Sequence, residues 1–363
     1  MKHHRLETYR CVTGGLVVAV SFLILAAVFS AAALAQAPEK EKLLPYLETH
    51  VHLKADYRER GRTVWDFEAA ALEAIKSMDR LGIQQCFLMP PPFAPDNPVI
   101  YDYEKLKDVC DRHPKRFAFL GGGGTLNPMI QRAVREGQVT AKMRREFGEE
   151  AERIVRDGAV GFGEMTALHL SFREGHPFES APPDHPLFLL LAEIASKHKM
   201  AIDLHMEAVA EDMALPRQFR SPPNPPQLKE NISGLERLLS HERKAPIVWA
   251  HVGWDNTGHA TVALYRKLLT KHPNLYLQLK VYQDSVPANQ ILSEGRIRAE
   301  WLELIRDFPD RCVLGSDNFY GIPGKTRWFP DSQEGSRRIL ANLPADLARR
   351  VAIDNVKGVY RVK

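Results

Sequence analysis

The chain has 363 residues, with 49 lysines and arginines against 45 aspartates and glutamates, and a formal net charge of +4 at pH 7. This small charge does not indicate a nucleic-acid-binding protein. With only four cysteines, the chain is not a disulfide scaffold either.

The first 35 residues have the pattern of a secretory signal peptide. Residues 1–5 are basic, an apolar stretch covers about 14–34, and Ala33-Leu34-Ala35 resembles a small-residue cleavage site. The apolar stretch approaches the length of a membrane span, so an uncleaved anchor is the alternative. Both interpretations predict that the folded part, 36–363, is periplasmic or secreted, or is anchored to a membrane and faces outside the cytoplasm.

Short β-rich runs recur after this segment at intervals of about 30 to 45 residues, and the stretches between them mostly have helical periodicity. Alternating strands and helices predict parallel strands with right-handed crossovers. Eight such repeats favour the α/β class and a single (β/α)8 TIM barrel domain. An open, doubly wound sheet is the alternative. The predicted strands are 47–53, 84–89, 116–120, 159–164, 201–206, 247–251, 275–281 and 312–316.

The first predicted helix has recognisable start and stop signals. Thr63, followed three residues later by Asp66, resembles a capping box, and Gly82 suits the end of the helix. The other helices are predicted near 102–112, 129–157, 187–198, 233–241, 260–271, 297–307 and 333–342.

Two long proline-rich connections, 171–186 and 207–228, follow the fourth and fifth predicted strands. Loops after strands cover the catalytic face of a barrel, so both are candidate lids or specificity elements. Arg217 and Arg220 in the second loop are either solvated surface residues or ligands for a substrate carboxylate. The four glycines at 121–124 lack the Lys-Ser/Thr of a P-loop. A flexible turn is the favoured interpretation there, with close approach of substrate as the alternative.

Histidines and carboxylates stand at the ends of several predicted strands. His50 and His52 point the same way, because side chains alternate along a strand. Strands four, five, six and eight end with Glu164, His205, His251 and Asp317, respectively. In a barrel these six groups would converge on one rim.

Imidazole and carboxylate groups are ligands that zinc prefers, and six of them are enough for one or two ions. A bound metal would lower the pKa of water and polarise a carbonyl, while Asp317 is suited to accept the proton. A single histidine in a strand is more often structural than a ligand. Four at matching positions make metal binding the favoured hypothesis.

The roles of several other polar residues stay open. Glu164 would bridge two ions, hydrogen-bond a ligand histidine, or face a polar cavity. Glu48 and Asp203 precede His50 and His205 by two residues, so they are predicted to lie deeper on the same face, beside the ligands. Lys280 on strand seven faces either the interior or the helices. The loop histidines are predicted to be surface residues near the rim. They are His169, His176, His185 and His259.

The combination of His50-x-His52, His205, His251 and Asp317 resembles the amidohydrolase superfamily, and more narrowly the amidohydrolase-related (amidohydrolase 2) family of metal-dependent TIM-barrel enzymes. Residues 353–360 are similar to the closing helix of that family.

The resemblance implies that His50, His52, His205 and Asp317 hold the principal metal. It implies that His251 binds a second metal or acts as a general acid or base. Many two-metal members have a carboxylated lysine on strand four, where this chain has Glu164, so the resemblance does not fix the number of ions.

The resulting hypothesis is an exported metal-dependent hydrolase that cleaves a C–O or C–N bond of a small molecule, such as a lactone, ester or amide. Metal-activated water attacks, and Asp317 is the general base. Because the family also contains decarboxylases, a decarboxylase is the second hypothesis, and a non-catalytic metal- or ligand-binding barrel is the third. The sequence leaves the substrate and the oligomeric state open, and a homo-oligomer is compatible with it.

Overall fold

The computed structural model describes residues 43–220, 223–326 and 333–362. The predicted signal peptide lies outside these residues. The barrel strands are β1 (Tyr46–Lys54), β2 (Ile83–Leu88), β3 (Phe117–Gly122), β4 (Gly161–His169), β5 (Ala201–Met206), β6 (Ile247–Val252), β7 (Leu275–Leu279) and β8 (Cys312–Leu314), followed by β9 (Asn318–Gly321). All eight predicted strands are therefore confirmed.

The strands pair in parallel in chain order, from β1 to β8. The last strand is interrupted, so β8 pairs with β7 while β9 pairs with β1, with Val51 opposite Asn318. The Thr49 hydroxyl also donates to the Leu314 carbonyl at 2.7 Å. These contacts close the sheet, which confirms the TIM barrel and excludes the open sheet.

The helices cover the outside of the barrel. They are α1 (Phe67–Leu81), α2 (Tyr103–Arg112), α3 (Leu126–Glu136), α4 (Ala141–Arg156), α5 (Pro186–His198), α6 (Ile232–His241), α7 (Val262–Lys271), α8 (Ala299–Asp307), α9 (Gln333–Asn342), α10 (Ala345–Arg349) and α11 (Asn355–Tyr360), with a π-helical segment at Arg350–Asp354. Among the described residues, no helix is long and apolar enough to cross a membrane.

Two helix predictions were wrong in detail. The capping box at Thr63 does not exist, because Thr63 lies in a hairpin formed by Asp56–Glu59 and Arg62–Trp65. Asp66 itself caps α1 and accepts from Ala69 N at 2.9 Å. Gly82 ends this helix in the left-handed conformation, as predicted. The single helix predicted over 129–157 is α3 and α4, because the chain turns at Gly137, which has φ of 66°.

Two apolar layers hold the barrel together. The larger one lies between the strands and the helices, and the smaller one fills the barrel interior with side chains such as Leu47, Phe87 and Val248. Side chains of α11 join this inner cluster, where the rings of Phe87 and Tyr360 lie 4.9 Å apart. The helix α11 therefore plugs the amino-terminal end of the barrel, and the site lies at the other end.

Three strands carry an irregularity where they reach the site. On β1, Glu48 pairs with Cys86 and Val51 with Leu88, so β1 has one extra residue there. Register shifts of the same kind occur on β4 between Phe162 and Met165, and on β6 between Trp249 and Val252. Such bulges put two successive side chains on one side of the sheet.

The β1 bulge corrects the position predicted for Glu48. Its carboxylate accepts from Ser316 N at 2.7 Å and from the hydroxyl of Ser336 on α9 at 3.3 Å. Glu48 therefore lies on the outer side of the barrel wall, whereas His50 lies inside. Strict alternation would have placed both residues on the same face.

Candidate metal centre

His50, His52 and Asp317 converge at the carboxyl ends of β1 and β8. The two histidine Nε2 atoms are 3.1 Å apart. Asp317 Oδ1 lies 3.2 Å from His52 Nε2 and 3.9 Å from His50 Nε2. These three side chains form a compact group of ligand atoms that could hold an ion.

Glu164 lies at the centre of the four histidines. Its Oε2 atom is 3.4 Å from His50 Nε2 and 3.3 Å from His52 Nε2. Its Oε1 atom is 2.8 Å from His205 Nδ1 and 3.1 Å from His251 Nε2. A second compact group consists of His50, Glu164 and His251. The two oxygens of Glu164 therefore face two neighbouring sets of ligands.

The orientation of the rings shows that these atoms require a positive charge between them. His52 Nδ1 is 2.9 Å from the Met89 carbonyl, to which only a protonated nitrogen can donate. The Nε2 lone pair of a neutral His52 then faces carboxylate oxygens of Glu164 and Asp317. Lone pairs at this distance repel unless a proton or metal ion lies among them. Imidazole and carboxylate donors fit a divalent metal.

Asp203 and Gln278 hold His50 from the barrel interior. Asp203 is fully buried, and its Oδ1 lies 3.2 Å from His50 Nδ1. Gln278 donates to Asp203 Oδ2 at 2.7 Å and to the Thr49 hydroxyl at 3.0 Å. A Cβ on Gly315 would lie 2.1 Å from Cδ of Gln278, so only glycine leaves room for this amide. The position expected for Asp203, beside a ligand, is confirmed, whereas Gln278 was missed.

Two of the predicted site residues have an unusual backbone conformation. His251 has φ of 61° and Asp317 has φ of 54°, a region that non-glycine residues rarely adopt. Asp317 N donates to the His50 carbonyl at 3.0 Å, which fixes β9 against β1. Such strained conformations occur often at functional sites. The Gly163–Glu164 peptide bond is cis.

The electrostatics of the centre favour ionised carboxylates. Burial would raise the pKa of Asp317, but Lys280 holds it well below the ordinary range. Burial likewise opposes ionisation of Glu164, but the charge of His50 and hydrogen bonds with His205 and His251 hold its pKa well below normal. Burial lowers the pKa of His251 to about 3, so its ring is neutral at pH 7.

Lys280 faces the barrel interior, which settles an orientation that the sequence left open. Its side chain is 4% exposed, and Nζ lies 2.7 Å from Asp317 Oδ2. Nζ also lies 4.0 Å from the centre of the Trp254 ring. Asp317 therefore directs one oxygen at the histidines and the other at an ammonium group.

A cavity of about 890 Å³ opens above the centre. Glu164, His205, Asp317 and Lys280 line its floor. Its walls include aromatic side chains from loops after β4, β6 and β7. They are Phe172, Trp254 and Tyr282. A cavity of this size is typical of a small-molecule site.

The structure does not bring Arg217 and Arg220 to this cavity. Both are exposed, and neither is among the described residues that line it. Arg173, from the loop after β4, and Arg338, from α9, do line the cavity. The sequence offered no signal for Arg338, because its position depends on how α9 packs over the barrel rim.

The loop histidines occupy different places. His169 and His176 line the cavity, and both are half-buried. Partial desolvation lowers the pKa of both rings, that of His176 to about 4. His185 instead caps α5, and His259 accepts from Ala210 N at 3.1 Å. The loop assignment is wrong for His169, which is the last residue of β4 and whose Nδ1 lies 3.2 Å from the Pro177 carbonyl.

The glycines at 121–124 serve close packing of the backbone. A Cβ on Gly124 would lie 1.9 Å from the Tyr101 carbonyl oxygen, and one on Gly123 would lie 2.5 Å from that of Pro90. Neighbouring loops therefore press directly on this turn. This explains the glycines without a bound phosphate or a close approach of substrate.

Comparisons with known proteins agree with the fold. The family model described as Amidohydrolase matches residues 49–362. No curated protein matches the sequence significantly. Among solved structures, the chain is similar to an apo protein from Agrobacterium tumefaciens, with 13% identity, a TM-score of 0.50, and coverage of 90% of this chain and 99% of that one.

Two further structures are similar at lower TM-scores. One is 2,6-dihydroxybenzoate decarboxylase from Rhizobium, with 14% identity, a TM-score of 0.49, and coverage of 88% of this chain and 98% of that one. The other is a probable 2-pyrone-4,6-dicarboxylic acid hydrolase from Acinetobacter baumannii, with 14% identity, a TM-score of 0.48, and coverage of 88% and 100%. The family match extends over nearly the whole described barrel, and the protein belongs to the amidohydrolase family of metal-dependent enzymes.

Proposed function

We propose that this protein is a metal-dependent hydrolase that cleaves a C–O or C–N bond of a small molecule, such as a lactone, an ester or an amide. The observation that carries the proposal is the position of Glu164. Its two oxygens face two sets of ligands, which suits a pair of ions bridged by one carboxylate. Pairs of ions of this kind are common in hydrolytic enzymes.

The residues divide between the two ions as follows. His50, His52 and Asp317 form one compact group and would hold the first ion. Glu164 and His251, which form the other compact group with His50, would hold the second, and His205 contacts the same oxygen of Glu164 as His251. Zinc fits this set because histidines dominate it. When bound, such ions supply Lewis acidity and increase the acidity of a nearby water molecule.

The protein side chains handle the protons. Asp317 stays ionised near neutral pH, because Lys280 is paired with its Oδ2 atom and holds its pKa low. Its Oδ1 atom faces the ligand histidines and is placed to accept a proton from the attacking water. The protonated carboxyl can then pass that proton to the leaving oxygen or nitrogen. The buried floor limits competing access of bulk water.

The decarboxylase alternative is less well supported by the site. It would be favoured by a single ion, by a Glu164 that is not a ligand, and by Arg217 or Arg220 in the cavity. Glu164 instead contacts all four histidines, which favours a role as a ligand. Arg217 and Arg220 do not line the cavity, although Arg173 and Arg338 do, so the arginines do not separate the two functions. The similar structures include both a decarboxylase and a hydrolase, so the choice depends on the site itself.

The proposal also includes export from the cytoplasm. Its support is the basic start, the apolar stretch and the small-residue motif within the first 35 residues. Comparison of the amino terminus of the purified native protein with the encoded one tests this part. An intact amino terminus on a protein that remains in the cytoplasm would contradict it.

The central test combines metal analysis with Glu164→Gln and His205→Ala variants. Wild-type protein should bind two ions per chain, and each variant should lose one ion and about 100-fold or more in hydrolytic turnover. Arg217→Gln, outside the cavity, is the matched control and should behave as wild type. Zinc and manganese should both be measured, and substrates should include lactones, esters and amides.

Two results would overturn the proposal. One is full turnover by metal-free protein. The other is release of CO2 from carboxylic acids by a protein with one ion, unaffected by Glu164→Gln, which would establish the decarboxylase instead.

A further inference from the structure

We propose that Lys280 binds a carboxylate group of the substrate, so that the enzyme selects carboxylate-bearing compounds. This inference rests on the proposed function, because it concerns the same cavity. It assigns the recognition of the anion to a lysine that directly follows β7, and not to the loop arginines Arg217 and Arg220.

Lys280 is a buried cation whose N–H donors are not all used by the protein. An ammonium group has three N–H donors, and Asp317 Oδ2 is the one acceptor recorded for Lys280 among the residues that the structure describes. The Trp254 ring covers a second side of the ammonium group at 4.0 Å. At 4% exposure, a lysine with a free donor is costly unless water or a ligand completes it.

Lys280 also lies where a substrate would bind. Lys280 lines the cavity floor beside Glu164 and Asp317. A substrate oxygen bound to Nζ would therefore lie next to the carboxylate that accepts the proton. An ion pair that only stabilised the barrel would gain nothing from contact with this cavity.

The balance of charge also favours an anion at the cavity floor. The carboxylates in contact with the site histidines are Asp203, Glu164, Asp317 and Glu207. Two divalent ions together with Lys280 would outnumber these negative charges, so the loaded floor would attract an anion. The cavity walls provide a surface for the remaining, apolar part of the ligand, since Phe172 is 39% and Tyr282 is 36% exposed.

Benzoate and benzamide are suitable probes because they have nearly the same shape and differ in charge. Their affinities are measured by calorimetry, with intrinsic tryptophan fluorescence, to which Trp254 in the cavity wall contributes, as a second signal. Metal-free and metal-loaded protein are both used, because benzoate can also bind a metal directly. Metal-loaded wild-type protein should bind benzoate about 10-fold or more tightly than benzamide, and metal-free protein, which keeps the carboxylates without the ions, should show a smaller preference that still depends on Lys280.

Lys280→Gln keeps a hydrogen-bond donor for Asp317 but removes the charge. It should lose most of the preference for benzoate, by about 10-fold, whereas Lys280→Arg should keep it within about 3-fold. Arg217→Gln is the control and should have no effect. An unchanged preference in Lys280→Gln would overturn the inference.

A second pair of variants covers the case in which Lys280→Gln does not fold because Asp317 is left unpaired. Asp317→Asn keeps Lys280 and should retain the preference for benzoate. The double variant Lys280→Gln/Asp317→Asn removes both charges of the pair and should lose it. Equal preferences in these two proteins would overturn the inference.

The binding assay does not require turnover. A Lys280-dependent preference without hydrolysis of any substrate would therefore contradict only the proposed function.

Discussion

The stability of the barrel should depend on pH through Glu179, a buried carboxyl group beside the site. Glu179 pairs with His169 across the edge of β4 and is 2% exposed. Its Oε1 atom accepts from Asn127 at 3.1 Å, while Oε2 has no hydrogen-bond partner among the described residues. Burial, with a smaller contribution from Glu164, raises its pKa from 4.5 to about 8, although Asn127 and Arg135 oppose the rise.

The raised pKa of Glu179 determines whether stability rises or falls with pH. The folded protein holds the proton more tightly than the unfolded chain, so ionisation destabilises the fold. The loss of folding free energy caused by ionised Glu179 is absent below about pH 4.5, grows between pH 4.5 and about 8, and is constant at higher pH. At about 1.36 kcal/mol per pKa unit, the full rise corresponds to about 5 kcal/mol, and local relaxation leaves about 2 to 5 kcal/mol.

Glu179→Gln resembles the protonated form and keeps an acceptor for Asn127. We expect the variant to match wild type at pH 4.5 and to exceed its free energy of unfolding by about 2 to 5 kcal/mol at pH 9. Urea denaturation of both proteins across this range measures the difference. Glu211→Gln, at an exposed position, is the control. A difference between wild type and Glu179→Gln that does not change with pH would refute the reasoning.

Two further predictions concern positions where the local geometry is decisive. Gly315→Ala places a Cβ against Gln278, so the Gln278 amide should lose its hydrogen bond to Asp203. The affinity for zinc, measured by competition with a chelator, should then fall about 10-fold. An unchanged affinity would show that the contact between Gln278 and Asp203 does not support the metal ligands. Asp66→Ala should cost about 1 kcal/mol in thermal denaturation, because α1 loses its cap. Thr63→Ala should destabilise the protein clearly less than Asp66→Ala does. A larger loss of stability for Thr63→Ala would support the capping box after all.

Much of the architecture could be predicted because the barrel repeats one simple pattern. Each strand is a short β-rich run, and each helix follows with its own periodicity, so all eight strands were found. The break between α3 and α4 was missed because a single glycine inside a helical pattern is often tolerated. At Gly137 it ends the helix, and Thr140 then begins the next one by accepting from Met143 N.

The six candidate site residues were predicted from their residue types and their positions at strand ends, and the structure brings their side chains together. What the sequence could not give was the side of the sheet on which each residue lies. Bulges on β1, β4 and β6 each shift the alternation by one residue, which is why Glu48 was assigned to the wrong face. Gln278 on β7 and Lys280 just after it are two residues apart, so regular alternation puts both side chains on the same face. Once one of them was known to face the barrel interior, the other could have been predicted to do so.

Cavity residues from loops were the least predictable. Arg217 and Arg220 were chosen because their loop is long and rich in proline, yet Arg173 and Arg338 line the cavity. The path of a loop depends on tertiary packing that no local pattern encodes.

The closure of the barrel has a consequence for when the metal centre can form. The Thr49 hydroxyl bonds to a carbonyl 265 residues away, and His52 meets Asp317 across the same seam. Contacts between such distant parts of a chain form late in folding. A barrel that lacks its last strand offers His50, His52 and Glu164 without Asp317. Tight capture of metal should therefore report that the last strand has joined the first, and ion uptake would follow completion of the fold in refolding experiments.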